Sequence, residues 1–233
     1  MTAVVIIPAA TDDDAHRLAA RQWAVRRYRT VHHDWPVAVA MHTGPWCKAE
    51  AVNPVAASAD ADVLVIADGD SVVAPDALRA AVAEVATGRH DWATPATQVR
   101  RLTQAVTATV LGQEPDTLPD SRSPVVRAHS LLPGGGIVVV SRALWLDADG
   151  YDPRFIGWGG EDYALGCALR ALSGHYAHKQ PGVLWHLWHP PAPSNGGLLP
   201  DESAALATHY RAAKHDPAAM RSLIQQREAA LWL

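Results

Sequence analysis

The chain contains one phenylalanine, three methionines and two cysteines in 233 residues. Cys47 and Cys167 stand far apart without metal-type spacing, which argues against a disulfide framework and leaves two buried thiols. No apolar run is long enough to cross a bilayer, so no transmembrane segment is expected. The N-terminus has no charged, apolar and cleavage-site series, and the expectation is a soluble, cytoplasmic protein. A net charge of −4 supplies no broad basic footprint for nucleic acid, although a local basic groove is compatible with it. Repeats and low-complexity segments are absent. So is a Gly- and basic-rich phosphate loop after the first apolar segment, where the acidic run Pro8-Ala9-Ala10-Thr11-Asp12-Asp13-Asp14 stands instead. The length suits one α/β domain able to bury most of its apolar surface.

Against these absences stand nine tryptophans. Trp is a favoured stacking partner for carbohydrate but also the largest core residue, and most of the nine are read as structural. Trp158 has a more telling context, Phe155-Ile156-Gly157-Trp158-Gly159-Gly160-Glu161-Asp162. An indole face stacks on the C–H side of a pyranose, and glycines such as Gly159 let a ring approach the main chain. Glu161 and Asp162 can accept hydrogen bonds from sugar hydroxyls, and one of them could take a proton. The plainer reading is a helix start, where unpaired N–H groups stabilise acids. The coincidence with the glycines and Trp158 favours the functional one.

A second informative stretch is Val63-Leu64-Val65-Ile66-Ala67, a fully buried strand running into Asp68-Gly69-Asp70. Carboxylates at the carboxyl end of such a strand sit where open α/β sheets bind ligands, and hard oxygens suit Mg²⁺ or Mn²⁺ bridging a diphosphate. Alone, the triplet is also ordinary turn chemistry. Around it the pattern alternates. Strands are expected at Ala3 to Ile7 (ended by Pro8), Trp35 to Met41, Val63 to Ala67, Trp92 to Thr97, Ile137 to Val140 and Val183 to Leu187. Helices are expected from the Asp12–Asp14 acids to about Thr30, from Trp46 to Ala59, Pro75 to Thr87, Ser141 to Leu146 and Gly160 to Leu172. That alternation implies a largely parallel sheet with right-handed crossovers. Gly112 to Ser130, rich in Pro, Asp and Ser, reads as a mobile connection or lid.

The Ile-Ile-Pro strand, the DxD-ending strand, Pro133-Gly134-Gly135-Gly136 and the GWGGED run occur in an order that resembles GT-A glycosyltransferases. The similarity is greatest to the branch with β-1,4-galactosyltransferases, chondroitin polymerase domains and polypeptide N-acetylgalactosaminyltransferases, and it spans roughly residues 3 to 190. It implies an α/β GT-A (nucleotide-diphospho-sugar transferase) fold, with a mostly parallel central sheet flanked by helices. It also implies a hexosyl- or N-acetylhexosaminyl-transferase using a nucleotide-sugar donor. Residues 1–200 would form the catalytic domain, with a nucleotide-sugar half over about 1–98 and an acceptor half over about 130–200. Helices in 201–233 would pack on the same domain.

Carried over residue by residue, the resemblance gives Asp68 contact with the ribose or the metal and gives Asp70 the metal that clamps the diphosphate. A histidine at the end of the late strand completes that site. His189 matches the family position, whereas His186 is read as structural, and imidazole favours Mn²⁺ over Mg²⁺. Asp162 matches the base on the acceptor hydroxyl, Glu161 its acceptor-binding neighbour, and Trp158 the stacking wall. Gly135 and Gly136 match the small residues beside the donor sugar. Retaining members carry Asn after the Glu where this chain has Asp162, which implies inversion. The turn Met41-His42-Thr43-Gly44 lacks the acid that reads uracil in the family. The base therefore stays open, with uridine as default and guanosine or thymidine as alternatives. Lys48, Asn53 and Arg21 are candidate nucleotide contacts, each with a solvated helix residue as the plainer reading. Tyr163 replaces a third acid of the galactosyltransferase motif, which puts that acceptor in doubt.

Other classes weigh less. A nucleotidyltransferase would need the missing phosphate loop, and a noncatalytic carbohydrate-binding protein on this scaffold would keep Trp158 without needing Asp68, Asp70 and His189 together. Adjacent Glu161 and Asp162 do not supply the opposed carboxyl pair, ~5 to 9 Å apart, of a glycosidase. The acceptor is a glycan, protein or other hydroxylated molecule, with nucleic acid the less favoured class. The Pro- and Gly-rich segment after Pro190 reads as a loop folding over the donor, with a plain linker as the alternative. The terminal helices, about Asp201 to Lys214 and Asp216 to Leu231, leave oligomeric state open.

Overall fold

The computed structural model describes residues 2–191 and 201–230. The donor-covering loop read into residues 192–197 lies outside them. Strand β1 (Ala3–Ala10) leads to helix α1 (Ala15–Val31), β2 (Val37–His42) to α2 (Lys48–Ser58), and β3 (Val63–Ala67) through a short β4 (Ser71–Val72) to α3 (Pro75–Ala86). There follow β5 (Trp92–Thr94), β6 (Gln98–Leu102), α4 (Gln104–Leu111), β7 (Val125–Ser130), β8 (Ile137–Ser141) and α5 (Arg142–Asp147). The chain continues with α6 (Glu161–Ser173), β9 (His178–Lys179), β10 (Val183–His186), α7 (Asp201–Ala213) and α8 (Pro217–Ala230).

Local chemistry sets these boundaries. The Asp14 carboxylate accepts from the N–H groups of His16 and Arg17, satisfying donors that the first turn of α1 leaves free. Pro75 occupies the first turn of α3, where its missing N–H costs nothing. Contrary to expectation, β1 does not stop at Pro8. Beyond Ile6, among the described residues, it pairs with β2 on one side alone, so a residue without an N–H is tolerated there.

The main sheet has the order β2-β1-β3-β8-β5-β9, and β8 alone runs against the rest. Alternation along the strands divides the core between two faces. Val4, Ile6, Leu64, Ile66, Val138 and Val140 pack on one side with α2, α5 and α6, while Val5, Ile7, Val63, Val65 and Val139 pack on the other with α1 and α3. Trp23 and Trp92 are fully buried, one on each face.

A second sheet, β4-β10-β6-β7, was not legible in the pattern. The single strand expected at Trp92 to Thr97 ends at Thr94, and Gln98–Leu102 forms a new strand in this other sheet. The expected lid also differs. Its last six residues are β7, antiparallel to β6, and its first part is held down by Trp23 Nε1 on Gln113 O (3.3 Å) and Arg27 on Pro115 O (2.6 Å) and Thr117 O (3.0 Å).

The terminal helices dock behind the turn that precedes α6. Arg227, 2% exposed, donates to the carbonyls of Ala148 (3.1 Å) and Asp149 (2.8 Å) and to Tyr210 Oη (2.7 Å). Tyr210 in turn donates to the buried Asp152 carboxylate at 2.9 Å. Among the described residues no helix is long and apolar enough to cross a membrane.

Candidate active site

The buried strand β3 delivers Asp68, Gly69 and Asp70 to a tight turn at its carboxyl end, fixed by Asp68 N–H on Gly136 O (2.8 Å) and Ser71 N–H on Asp68 O (3.0 Å). Across from it β10 ends at His186, and Leu187 N–H donates to Asp70 O at 2.7 Å, stitching the two strand ends together. His189 Nε2 lies 3.0 Å from Asp70 Oδ2 and His186 Nε2 3.7 Å from the same oxygen. The resemblance implied Asp68, Asp70 and His189 for this cluster; the structure brings His186 to Asp70 and His189 in place of Asp68. The two imidazoles are three residues apart where the chain leaves β10, and both turn back on one carboxylate.

Each imidazole points Nδ1 at a backbone carbonyl, His186 at Leu187 O (2.9 Å) and His189 at Pro190 O (2.7 Å). A carbonyl only accepts, so Nδ1 carries a proton on both rings; His186 Nε2 is then the acceptor for Arg101 Nη1 at 2.8 Å, and His189 Nε2, 3.0 Å from a carboxylate oxygen that also only accepts, donates to Asp70 from an imidazolium. One ligand atom from each of Asp70, His186 and His189 lies within 4.8 Å of the others. A carboxylate oxygen and two imidazole nitrogens pinned by carbonyls are a donor set that fits a divalent ion once His189 Nε2 gives up its proton and Arg101 releases His186 Nε2. Charge follows the same geometry. Burial opposes ionisation of Asp70, but the two histidines outweigh it and hold the carboxyl well below its usual range. Burial lowers His186; for His189 the hydrogen bond to Asp70 overcomes burial and raises it.

Asp68 stands outside this cluster. Its Oδ1 accepts from Lys48 Nζ at 2.7 Å, and the same amine donates to Asp162 Oδ1 at 2.7 Å. Lys48 begins α2 and is 5% exposed, so it is a buried link between the β3 turn and the first turn of α6 and no solvated helix residue. Burial works against its charge, yet Asp162 and Asp68 together raise the amine well above its normal range. Burial, with help from Asp68 and Glu161, pushes the Asp162 carboxyl up to about 7 against the pull of Lys48. Tyr151 Oη also donates to Asp162 Oδ1, at 3.3 Å.

The glycines act on this geometry from behind. Gly134 has φ +87°, and a side chain there would overlap the Asp162 carbonyl oxygen. At Gly135 a Cβ would stand 3.6 Å from Asp162 Oδ2, and at Gly136 it would press on Leu184 at 2.7 Å. Neither Gly135 nor Gly136 lines the pocket; Gly134 lets the loop pass close to α6 and Gly136 lets it pass close to β10. Gly159 donates its N–H to Glu161 Oε2 at 2.8 Å, and Glu161 is buried, with its carboxyl raised by desolvation. Asn53 holds the backbone of Tyr151 through both ends of its amide and faces no ligand space.

Lys48, Asp68, Asp70, Glu161, Asp162, His186 and His189 line a cavity of about 220 Å³. That is below the ~300 to 1,000 Å³ of typical small-molecule sites, so a nucleotide sugar would extend onto the adjoining surface. Arg17, Arg21, Asp13, Trp46 and Arg101 line it as well. Of these the sequence reading named only Arg21, which donates to Ala10 O (3.2 Å) and pairs with Asp13. A signal existed for Arg17 and Arg21. They are four residues apart in α1 and so share one face. Trp158 is 40% exposed at the rim, stacked on Trp46 at 5.0 Å, with the Arg17 guanidinium 4.4 Å over its ring.

The family model described as Glycosyltransferase like family 2 matches residues 3–222. No curated protein matches the chain in sequence. Among solved structures it is similar to S. aureus TarS 1–349 in complex with UDP-GlcNAc, at 11% identity over 97% of this chain and 71% of that chain, with a TM-score of 0.55. The catalytic domain of Drosophila β1,4-galactosyltransferase 7 in complex with xylobiose is similar at 12% identity over 88% and 79% of the two chains, with a TM-score of 0.49. Glucosyl-3-phosphoglycerate synthase from Mycobacterium tuberculosis, in complex with Mn²⁺, UDP and glucosyl-3-phosphoglycerate, is similar at 14% identity over 91% and 79%, with a TM-score of 0.48. Such identities speak to fold alone, and only the first likeness is close enough to carry that argument. The family match spans nearly the whole chain, which belongs to the glycosyltransferase-like family 2 and is a glycosyltransferase of the GT-A fold.

Proposed function

We propose that the protein transfers a sugar, with inversion, from a nucleoside-diphosphate sugar to an acceptor hydroxyl, using Asp162 as base and a divalent metal ion held by Asp70, His186 and His189. The observation that carries this reading is the shared pocket. A carboxylate poised near neutrality and a separate O,N,N donor set face the same space, as a displacement with a base on one side and an anionic leaving group on the other requires. TarS, with its bound UDP-GlcNAc, supports a UDP-sugar donor by analogy of fold.

Asp162 has two unequal oxygens. Oδ1 is occupied by Lys48 and Tyr151, which orient the carboxylate and leave Oδ2 for the acceptor hydroxyl. Oδ2 takes the proton from the acceptor hydroxyl as that oxygen bonds to the anomeric carbon, and the bond from that carbon to the diphosphate oxygen breaks on the opposite face. The proton ends on Asp162 and the electron pair on the nucleoside diphosphate. A bound divalent ion supplies positive charge beside the leaving group, with imidazole ligands favouring Mn²⁺. Arg17 and Arg21 add fixed charge on the same wall. Asp68, kept by Lys48, is left for the ribose; the buried Glu161 lines the pocket as a hydrogen-bond partner for acceptor hydroxyls, and Trp158 presents a stacking surface at the rim. Hexoses and N-acetylhexosamines are the substrate class.

The test is nucleoside diphosphate release from UDP-, GDP- and TDP-sugars with Mn²⁺, with and without EDTA, beside Asp70→Ala. Metal-dependent release from one donor, lost in the variant, is expected. EDTA-insensitive release would contradict the metal role.

A further inference from the structure

A second convergence of imidazole and carboxylate lies away from the pocket. Glu84 is in the last turn of α3, the chain then turns at Gly88 (φ +70°) to reach His90 just before β5, and the edge strand β9 brings in His178 by pairing with Ala93. One ligand atom from each of Glu84, His90 and His178 lies within 4.8 Å of the others. The His90 and His178 rings are stacked, with centroids 4.4 Å apart and planes at 25°, so one partly exposed ring turns for both in-plane lone pairs to meet one ion; Glu84 Oε2 is 4.0 Å from His90 Nε2. All three are partly exposed, so an ion reaches them from solvent without opening the core. None of them lines the catalytic pocket.

We propose that Glu84, His90 and His178 form a second metal site, for a divalent transition ion of borderline softness, Zn²⁺ by its chemistry. Two imidazole nitrogens and one carboxylate oxygen are a three-ligand set that leaves the fourth tetrahedral position to water. The same imidazoles make the site poor for Mg²⁺ or Ca²⁺, which take oxygen ligands. The competitor for Glu84 is Arg89, whose Nε and Nη2 lie 2.8 and 2.9 Å from its two oxygens. That guanidinium is 57% exposed and exchanges its partner for water at little cost. Asp91 is engaged with His175 Nε2 at 2.9 Å, and the His175 ring flanks His90 at 5.9 Å, so a further imidazole and carboxylate border the site. A bound ion ties the end of α3 to a two-residue edge strand that backbone pairing alone holds weakly.

Isothermal titration of Zn²⁺ into the metal-stripped full chain carrying Asp70→Ala and His189→Ala reads this site with the pocket cluster disabled. One equivalent is expected to bind, and adding His90→Ala with His178→Ala should weaken binding about tenfold or more. His90→Ala and His178→Ala alone should leave Mn²⁺-dependent nucleoside diphosphate release unchanged. Absence of Zn²⁺ binding, or binding of equal affinity without the two histidines, overturns the proposal. If circular dichroism shows the pocket variant unfolded, the wild-type chain is titrated instead. Its stoichiometry should then fall by one equivalent in His90→Ala/His178→Ala, and an unchanged stoichiometry overturns the proposal equally.

Discussion

Lys48 and Asp162 form an ion pair of 2.7 Å in which the amine is almost wholly buried and the carboxylate is 29% exposed toward the pocket. The same Nζ holds Asp68, so one charge orders two acids from opposite sides of the cleft. In Lys48→Met both acids lose that charge. Breaking a buried pair costs about 3–5 kcal/mol where the remaining groups stay ionised. A melting temperature several degrees below wild type is expected at pH 8, with a smaller deficit at pH 5, where a proton replaces the amine. Equal deficits at both pH values would show that the loss is one of packing.

The Asp162 carboxyl, pushed up to about 7, sets the pH dependence of turnover. A base must be ionised to act, so kcat/KM should fall by about tenfold per unit below pH 7. The stability consequence has the opposite slope. A folded-state pKa above the unfolded one stabilises the fold below about pH 4 and loses that contribution as pH rises through 7. The stability difference between Asp162→Asn, which cannot ionise, and wild type should therefore move in favour of the variant as pH rises from 5 to 8, whatever its offset from the lost pairing with Lys48. Thermal melts across that range check the sign.

The Asp152–Tyr210–Arg227 contacts anchor the terminal helices to the turn before α6. In Tyr210→Phe a buried carboxylate and a buried guanidinium each lose a partner, for a cost of about 1–3 kcal/mol. Burial opposes the charge on Asp152, but the Arg154 hydrogen bond and neighbouring charges leave its carboxyl below the usual value. Its contribution is present above about pH 4 and is lost as pH falls through the folded-state value. Urea titrations of Tyr210→Phe and wild type at neutral pH should give midpoints that differ accordingly, and coincident midpoints would dismiss the anchor.

Trp158 is held by Trp46 and Arg17 at the pocket rim. Trp158→Ala should raise the acceptor KM by about 10- to 100-fold, the equivalent of one stacking contact of ~1–3 kcal/mol, with donor affinity near wild type. Steady-state kinetics varied in acceptor at saturating donor separate the two. A change confined to donor KM would move Trp158 to the donor side.

The strand before Asp68 and the helix start at Glu161 were readable because a buried apolar run and a glycine-flanked acidic pair are both local signals. What local sequence could not show was juxtaposition. Lys48 looks solvated as a cation near a helix start, and its burial arises because the start of α2 falls between the β3 turn and the first turn of α6. His186 looked structural because nothing in its neighbourhood reveals that β10 ends beside the β3 turn. β6 was hidden by Arg100 and Arg101, whose charges disguise a strand. There Arg100 reaches across to Ser121 O and Ser123 O, holding the segment that reads as a lid in sequence.

The most direct test of the central claim compares Asp162→Asn with wild type in two readouts on the same sample, calorimetric donor binding with Mn²⁺ and acceptor-dependent nucleoside diphosphate release. Donor binding within about threefold of wild type and release lowered by about 10²-fold or more are expected for a lost base. Release at the wild-type rate would contradict the assignment of Asp162 and, with it, the inverting displacement.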